Sequence, residues 1–143
     1  HQPWRFAYGL RGDEEFARIA GALVPFNRTW AEHAAALVVV ASKSTTLKDG
    51  VETANPWAAF DAGTAWGYLA MQAHLNGLVA HAMGGFDAAK AAEALNLPEG
   101  HVIHAVVAIG HHGDVSSLPE ALQAREVHSP RRPVAELARR GGF

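Results

Sequence analysis

A long, alanine-rich segment, Phe60–Leu78, constrains the fold of this chain more than any other stretch. Its apolar residues recur at helical spacing and form one broad face: Ala62, Ala65, Trp66, Leu69, Ala70, Ala73 and Leu75. Because alanine and glycine present little side-chain bulk, other elements can pack closely against such a helix. Gly77 then ends it. The pattern predicts a central helix around which the rest of the protein is built.

Three shorter segments predict β-strands. Leu37–Ala41 and Val102–Ile109 are continuous apolar runs, which are typical of strands buried on both faces. Trp4–Tyr8 alternates large apolar residues, which also indicates a strand. The predicted order is strand, helix, helix, strand, long helix, helix, strand and tail. This order indicates an α+β or α/β fold with a small sheet.

The remaining pattern places helix ends and one loop. Asp13 is a plausible N-cap for a helix that Pro25 ends, and Asp87 is a plausible N-cap for Ala88–Leu95. Ser42–Pro56 is polar, so we expect a loop there. Two further helical segments are predicted near the C-terminus, at Pro119–Val127 and Val134–Arg139.

The composition is that of an ordinary globular protein. The chain has 143 residues, 49% of them hydrophobic and 18% charged, and we expect one domain over residues 1–143. A formal net charge of −2 gives no indication of nucleic acid or a membrane surface as partner. Without cysteine, disulfides, thiolate nucleophiles and Cys–zinc sites are excluded. The chain does not begin with Met, so we expect that residues precede it in the natural protein.

Most motifs that would fix a reaction class are absent. The nine histidines include no H-x-x-x-H pair, and we predict no metal site. There is no G-x-S-x-G nucleophile motif, and neither glycine-rich phosphate motif occurs. Nucleophilic serine catalysis, a P-loop and a dinucleotide-binding fold are therefore not supported.

Two pairs of residues leave alternatives open. Gly84–Gly85, placed between the long helix and the Asp87 cap, either stops a helix or lets a flat ligand approach the backbone. Arg131 and Arg132 either bind a phosphate group or belong to a solvated tail. The residues alone do not decide between these interpretations.

Taken in order, several segments resemble the FMN-dependent nitroreductases. They cover nearly the whole chain, and each motif alone is weak while the ordered set is specific. The segments are "HQPWRF", "LVPFNRTWAEHAAALVVVAS", "FDAGTAWGYLAMQAHLNGLVAHAMGGFD", "LNLPEGHVIHAVVAIGHHGD" and "SPRRPVAEL".

The resemblance implies an α+β fold with a central, mainly antiparallel sheet flanked by helices. It implies a homodimer with the long central helix at the interface, where two FMN sites lie. It also implies a cytoplasmic enzyme with NAD(P)H as electron donor and flavin N5 as the hydride carrier, working by a ping-pong cycle. The acceptor is a small molecule such as a nitroaromatic or a quinone, and neither nucleic acid nor a membrane is a partner.

The resemblance also implies which residues bind FMN, and it implies no catalytic side chain. Asn27 matches an Asn at the flavin pyrimidine edge, with Arg28 beside it. The backbone of Met83, Gly84 and Gly85 matches the segment near N5, with the Gly84 N–H nearest to the chemistry. Gln2, together with His1, lies at the start of the strand that lines the ring, and Arg131, with Arg132 as a second candidate, matches a phosphate-binding residue.

The sequence also departs from the family pattern. Many relatives carry a Lys three residues after the Asn, where this chain has Trp30, and the family's N-terminal Arg-x-Ser-x-Arg segment is missing. Ser42–Trp57 is expected to help form the substrate pocket, with Trp57 and Phe60 as stacking residues or as core. Two alternatives therefore remain: a flavin-binding or flavin-sequestering protein without reductase activity, and another flavin chemistry on the same fold, of the dehalogenase or flavin-fragmenting type.

Overall fold

The computed structural model describes residues 2–142, which belong to a first compact unit that ends at His112 and a second that begins at Gly113. The elements of the first unit are β1 (Trp4–Leu10), α1 (Glu14–Ala22), α2 (Pro25–Ala31), β2 (Ala36–Lys43), β3 (Thr45–Lys48), β4 (Val51–Ala54), α3 (Ala58–Leu75), β5 (Val79–Met83), α4 (Ala88–Ala94) and β6 (His101–Gly110). The second unit contains a 3₁₀ turn (Val115–Ser117), α5 (Glu120–Gln123) and α6 (Val134–Leu137).

The first unit is built on a four-stranded sheet in the order β1-β2-β6-β5. Every neighbouring pair is antiparallel. Helices pack on both faces: residues of α1 and α2 contribute to the core on one face, and residues of α3 pack on the other. The expected α+β fold with an antiparallel sheet flanked by helices is therefore confirmed.

The position of β2 inside the sheet, covered on both faces, explains why its sequence is apolar without alternation. Leu37 and Val39 lie in the core with Ile19 of α1, whereas Val40 lies in a second cluster against which Trp66 of α3 packs. Leu37 is 0% exposed and Val40 2%. Since both faces are covered, every residue of the run loses contact with water.

The helix N-caps agree with the sequence, with one difference in chemistry. Asp87 caps α4, because its Oδ1 accepts hydrogen bonds from the backbone N–H groups of Ala89 (3.0 Å) and Lys90 (3.1 Å). Asp13 directly precedes α1, but its side chain accepts from the Leu10 N–H at 3.0 Å instead of capping the helix. It thus fixes the turn between β1 and α1.

The middle of the chain contains a strand that the sequence did not predict, and this strand removes one of the two alternatives for Gly84–Gly85. The long helix ends at Leu75, and residues 79–83 form strand β5, so Gly84 and Gly85 follow a strand and do not stop a helix. The prediction that Gly77 ends the long helix is confirmed, because Gly77 turns the chain after α3 with a φ of 74°. Between its end residues Val79 and Met83, β5 contains only alanine and histidine, which are weak strand formers. Pairing with β6 therefore determines its conformation.

The expected loop Ser42–Pro56 is a β-hairpin for most of its length. β3 and β4 pair antiparallel across the two residues Asp49 and Gly50, whose φ angles are 52° and 80°. Two successive positive φ angles are typical of the hairpin turn that Asp-Gly favours. The polar composition of the segment concealed this signal.

The C-terminal helices are shorter than predicted. α5 covers Glu120–Gln123 and α6 covers Val134–Leu137, and each follows a proline. Neither helix has a buried residue, so no apolar packing extends it beyond one turn. Among residues 2–142, no helix combines the length and the apolar character needed to span a bilayer.

Candidate functional site

The start of α2 and the segment after β5 are joined by hydrogen bonds. Asn27 Nδ2 donates to the Gly85 carbonyl oxygen at 3.0 Å, and the Val24 N–H donates to the same oxygen at 3.1 Å. Leu23 and Phe86 form a bridge beside them. The structure therefore brings together Asn27 and Gly85, two of the residues that the sequence predicted to bind the flavin.

Gly85 lacks a side chain for a reason that the sequence did not reveal. A Cβ at this position would lie 2.5 Å from Asn27 Nδ2 and 3.0 Å from Val24 Cγ2. Both distances are shorter than an ordinary van der Waals contact, so the Asn27 amide could not stay where it is. At Gly84, by contrast, a Cβ would meet nothing within 4 Å.

Several polar groups of this cluster have no partner within the described part of the chain. They are the Asn27 Oδ1 and the backbone N–H groups of Gly84 and Gly85. Gly84 is exposed, and Asn27 and Gly85 are partly buried. We call Asn27, Gly84 and Gly85 the amide cluster. It offers one acceptor and two donors to a ligand.

An aromatic pair lies next to the amide cluster. Trp30, one turn after Asn27 on α2, contacts His81 of β5 edge to face, with ring centroids 4.9 Å apart and an angle of 63° between the planes. His81 and Met83 are two residues apart on β5 and so lie on the same face of the sheet as α2. The Met83 side chain is buried in the core, so only its backbone can serve the site.

The sequence missed His81 because it missed β5. Without a strand, the alternation that places His81 on the face of Trp30 could not be recognised. Among the described residues, no group of three or more His, Asp or Glu side chains is arranged to hold a metal ion.

Gln2 lies at the opposite edge of the sheet from the amide cluster. It precedes β1, which is one edge strand, whereas Gly85 follows β5, the other edge strand. Three strand spacings amount to about 14 Å. Within one chain the structure therefore does not bring Gln2 together with Asn27. Gln2 is exposed, with a φ of 55°, and His1 lies outside the described residues.

The remaining predicted residues are exposed. In the second unit, Arg131 Nη1 donates to the Ser129 carbonyl (3.1 Å) and hydroxyl (2.6 Å) oxygens, and Arg132 lies beside it. Arg28 forms an ion pair with Glu32 at 3.2 Å on the surface of α2. Trp57 and Phe60, at the start of α3, are 66% and 72% exposed and so are not core residues of the described chain.

Comparison with known proteins identifies the family. The sequence model of the nitroreductase family matches residues 2–111. An uncharacterised 15.4 kDa protein of Mycolicibacterium smegmatis is 38% identical over 142 residues, covering 94% of this chain and 90% of that protein. A crystal structure described as an oxidoreductase containing FMN is 42% identical, with a TM-score of 0.96 over 100% of this chain and 73% of its own. A gut-bacterial enone reductase shares the fold, with 19% identity and a TM-score of 0.74 over 99% of this chain and 78% of its own. This chain belongs to the nitroreductase family.

Proposed function

We propose that this protein is an FMN-dependent oxidoreductase that transfers hydride from NAD(P)H to a small-molecule acceptor. Membership of the nitroreductase family and the 42% identity to an oxidoreductase that contains FMN support the cofactor. The observation that carries the proposal is the amide cluster, in which an acceptor and two donors without partners stand side by side.

The amide cluster fits the edge of a flavin. The pyrimidine part of the oxidised ring carries one N–H donor between two carbonyl acceptors, and Asn27 Oδ1 would accept from that donor. The N–H groups of Gly84 and Gly85 would donate to acceptor atoms of the ring. Because neither glycine has a side chain, a flat molecule can approach their backbone closely.

FMN, when bound, supplies the hydride chemistry at its N5 atom, and the protein supplies position and electrostatics. The Asn27–Gly85 hydrogen bond orients the Asn27 amide, so its free oxygen is already in place to accept from a ligand. In the proposed ping-pong cycle, NAD(P)H and the acceptor use the same exposed face in turn, and no acidic or basic side chain is needed. Nitroaromatics, quinones and enones all suit this reaction.

We further propose that the protein acts as a homodimer. One stripe of α3 is apolar and exposed, with Phe60, Tyr68, Met71 and Leu75 each 60–75% exposed. A second copy would cover this stripe and remove it from water. A dimer also gives Gln2 a role, because at the far edge of the sheet it would contribute to a flavin held by the other copy. Arg131 and Arg132 are proposed to bind the FMN phosphate.

The Asn27→Ala variant tests the flavin site. The protein is titrated with FMN, and binding is followed by the quenching of flavin fluorescence. Loss of one hydrogen-bonding side chain should weaken binding about three- to tenfold. Asn76→Ala, in which an exposed Asn at the end of α3 is removed, serves as the matched control and should bind FMN like the parent protein.

The results separate the alternatives. Equal FMN affinity in the parent and Asn27→Ala proteins would contradict the assignment of the amide cluster. Bound FMN that NAD(P)H does not reduce would favour a flavin-binding protein without reductase activity. Reduction by NAD(P)H without turnover of nitroaromatics, quinones or enones would favour another flavin chemistry on this fold.

A further inference from the structure

A second polar site in the first unit lies at the β1 edge of the sheet, away from the amide cluster. An open groove there is bordered by the start of β1, the end of β2 and the β3–β4 hairpin. The lining side chains that matter are those of Arg5, Lys43, Thr45 and Asn55. The donors among them outnumber the acceptors, so the groove has the character of a site for an oxygen-rich anionic group.

Asn55 is the buried polar group of this groove. It is 7% exposed, its N–H donates to the Ser44 carbonyl oxygen at 2.8 Å, and its Oδ1 accepts from the Trp57 N–H at 3.1 Å. The second bond fixes which end of the amide is which, because a flipped amide would lose it. Nδ2 is buried and has no hydrogen-bond partner in residues 2–142. A buried donor without an acceptor is rare in folded proteins and calls for an explanation.

Arg5 supplies an oriented cation at the same groove. Its Nη1 donates to the backbone oxygens of Gln2 (2.9 Å) and Trp4 (2.8 Å), which holds the guanidinium at the start of β1. The other N–H groups of the guanidinium have no partner among the described residues. A guanidinium held in this way presents the paired donors that carboxylate and phosphate groups accept from.

Lys43 supplies a second cation, which Glu52 now partly neutralises. Lys43 Nζ lies 2.9 Å from Glu52 Oε1, and Thr45 Oγ1 donates to the same carboxylate oxygen at 2.6 Å. The Thr45 hydroxyl, and then Lys43, lower the pKa of Glu52, so this carboxylate is charged at neutral pH. Glu52 is exposed, whereas Lys43 is partly buried. An incoming anion would therefore compete with an exposed carboxylate for Lys43.

We propose that this groove binds the carboxylate or phosphate group of a small-molecule ligand. Arg5 and the Asn55 Nδ2 donate hydrogen bonds to the anionic group, with a small adjustment of the hairpin opening the buried nitrogen. The ion pair between Lys43 and Glu52 is replaced by an ion pair between Lys43 and the ligand. Gln2, which is proposed to contribute to a flavin held by the other copy, also lines this groove, so the anion is expected to bind beside that residue and without flavin.

The test is a titration of the ¹⁵N-labelled protein with inorganic phosphate and, separately, acetate, at constant ionic strength and pH, followed by amide chemical shifts. We expect saturable shifts at Arg5, Lys43 and Asn55, and the probe that binds more tightly identifies the anionic group. Arg5→Gln should raise the dissociation constant about tenfold. Lys48→Gln removes an equal charge from the hairpin at an exposed position outside the groove lining and should leave the constant unchanged.

Two further variants change the groove itself. Glu52→Gln removes the competing carboxylate and should tighten binding several-fold. Asn55→Asp keeps the acceptor for the Trp57 N–H but places a negative oxygen where Nδ2 lies, and it should abolish binding. Should it fail to fold, the Arg5 and Glu52 variants decide the question alone.

Three results would overturn the proposal. The first is the absence of saturable shifts with either anion. The second is an equal weakening by Arg5→Gln and Lys48→Gln, which would indicate only general electrostatic attraction. The third is the loss of anion binding when the protein is saturated with FMN, which would assign the groove to the flavin.

Discussion

At the scale of single residues, the amide cluster shows that a glycine can be required by a neighbouring side chain. The sequence suggested that Gly84–Gly85 stops a helix or admits a flat ligand. The helix stop is excluded by β5, and at Gly85 the first atom that a side chain would meet belongs to Asn27. Gly84 faces open space, so the two glycines of the pair have different roles. This difference depends on a contact across 58 residues of sequence, which no local pattern encodes.

The two glycines give a matched pair of substitutions. Gly85→Ala should lower the free energy of unfolding by about 1–3 kcal/mol, because the new Cβ displaces the Asn27 amide. Gly84→Ala, with no neighbour within 4 Å, should change it by less than about 0.5 kcal/mol. Urea unfolding of both variants provides the measurement. Equal effects of the two substitutions would contradict the steric argument.

A double-mutant cycle isolates the contact. In the Asn27→Ala/Gly85→Ala protein the clashing amide is absent, so the Gly85→Ala substitution should cost less than it does in the parent chain. The coupling is read from the free energies of unfolding of the four proteins. Strict additivity would show that the cost arises elsewhere.

At the scale of elements, the sequence predicted the helices and strands that carry a local capping residue or a clear hydrophobic pattern. β2 is a long apolar run, α1 has its apolar residues at helical spacing after Asp13, and α4 follows its Asp87 cap. It missed β5, which contains alanine and histidine and exists because β6 pairs with it. For the hairpin, the Asp49–Gly50 turn was present in the sequence but was outweighed by polar composition.

The hairpin gives a pH-dependent prediction. Glu52 accepts from Thr45 Oγ1 and pairs with Lys43, so its pKa is lower in the folded chain than in the unfolded chain. Its contribution to stability is therefore complete above the unfolded-state pKa and disappears as the pH falls through the folded-state pKa. Thr45→Val removes the hydroxyl, the largest cause of the shift, and should raise the pKa of Glu52. NMR of the Glu52 carboxyl carbon in both proteins measures this, and an unchanged pKa would contradict the assigned cause.

At the scale of the whole molecule, the exposed apolar stripe on α3 is the feature that a single copy of the chain leaves unexplained. The helix is apolar nearly all round, yet Trp66 and Leu69 pack on the sheet while Tyr68, Met71 and Leu75 remain exposed. The sequence predicted close packing around this helix, and the described chain provides it on one side only. The proposed homodimer would provide the other.

Charge placed on this stripe tests the dimer. Met71→Glu/Leu75→Glu introduces two negative charges that a buried interface cannot accommodate, and it should convert a dimer to a monomer in light scattering after size exclusion. Val51→Glu, at an exposed apolar residue of the hairpin, is the control and should leave the mass unchanged. A parent protein that is monomeric at all concentrations would contradict the proposed assembly.

The most direct test of the central claim is the visible absorption spectrum of the FMN-reconstituted protein, recorded without oxygen before and after addition of NADPH or NADH. The proposed function predicts that the bands of the bound flavin bleach far faster than those of free FMN treated in the same way. They should return when a quinone or nitroaromatic acceptor is added. A protein that binds no FMN, or one whose bound FMN neither pyridine nucleotide bleaches, would contradict the claim that this chain is an FMN-dependent oxidoreductase.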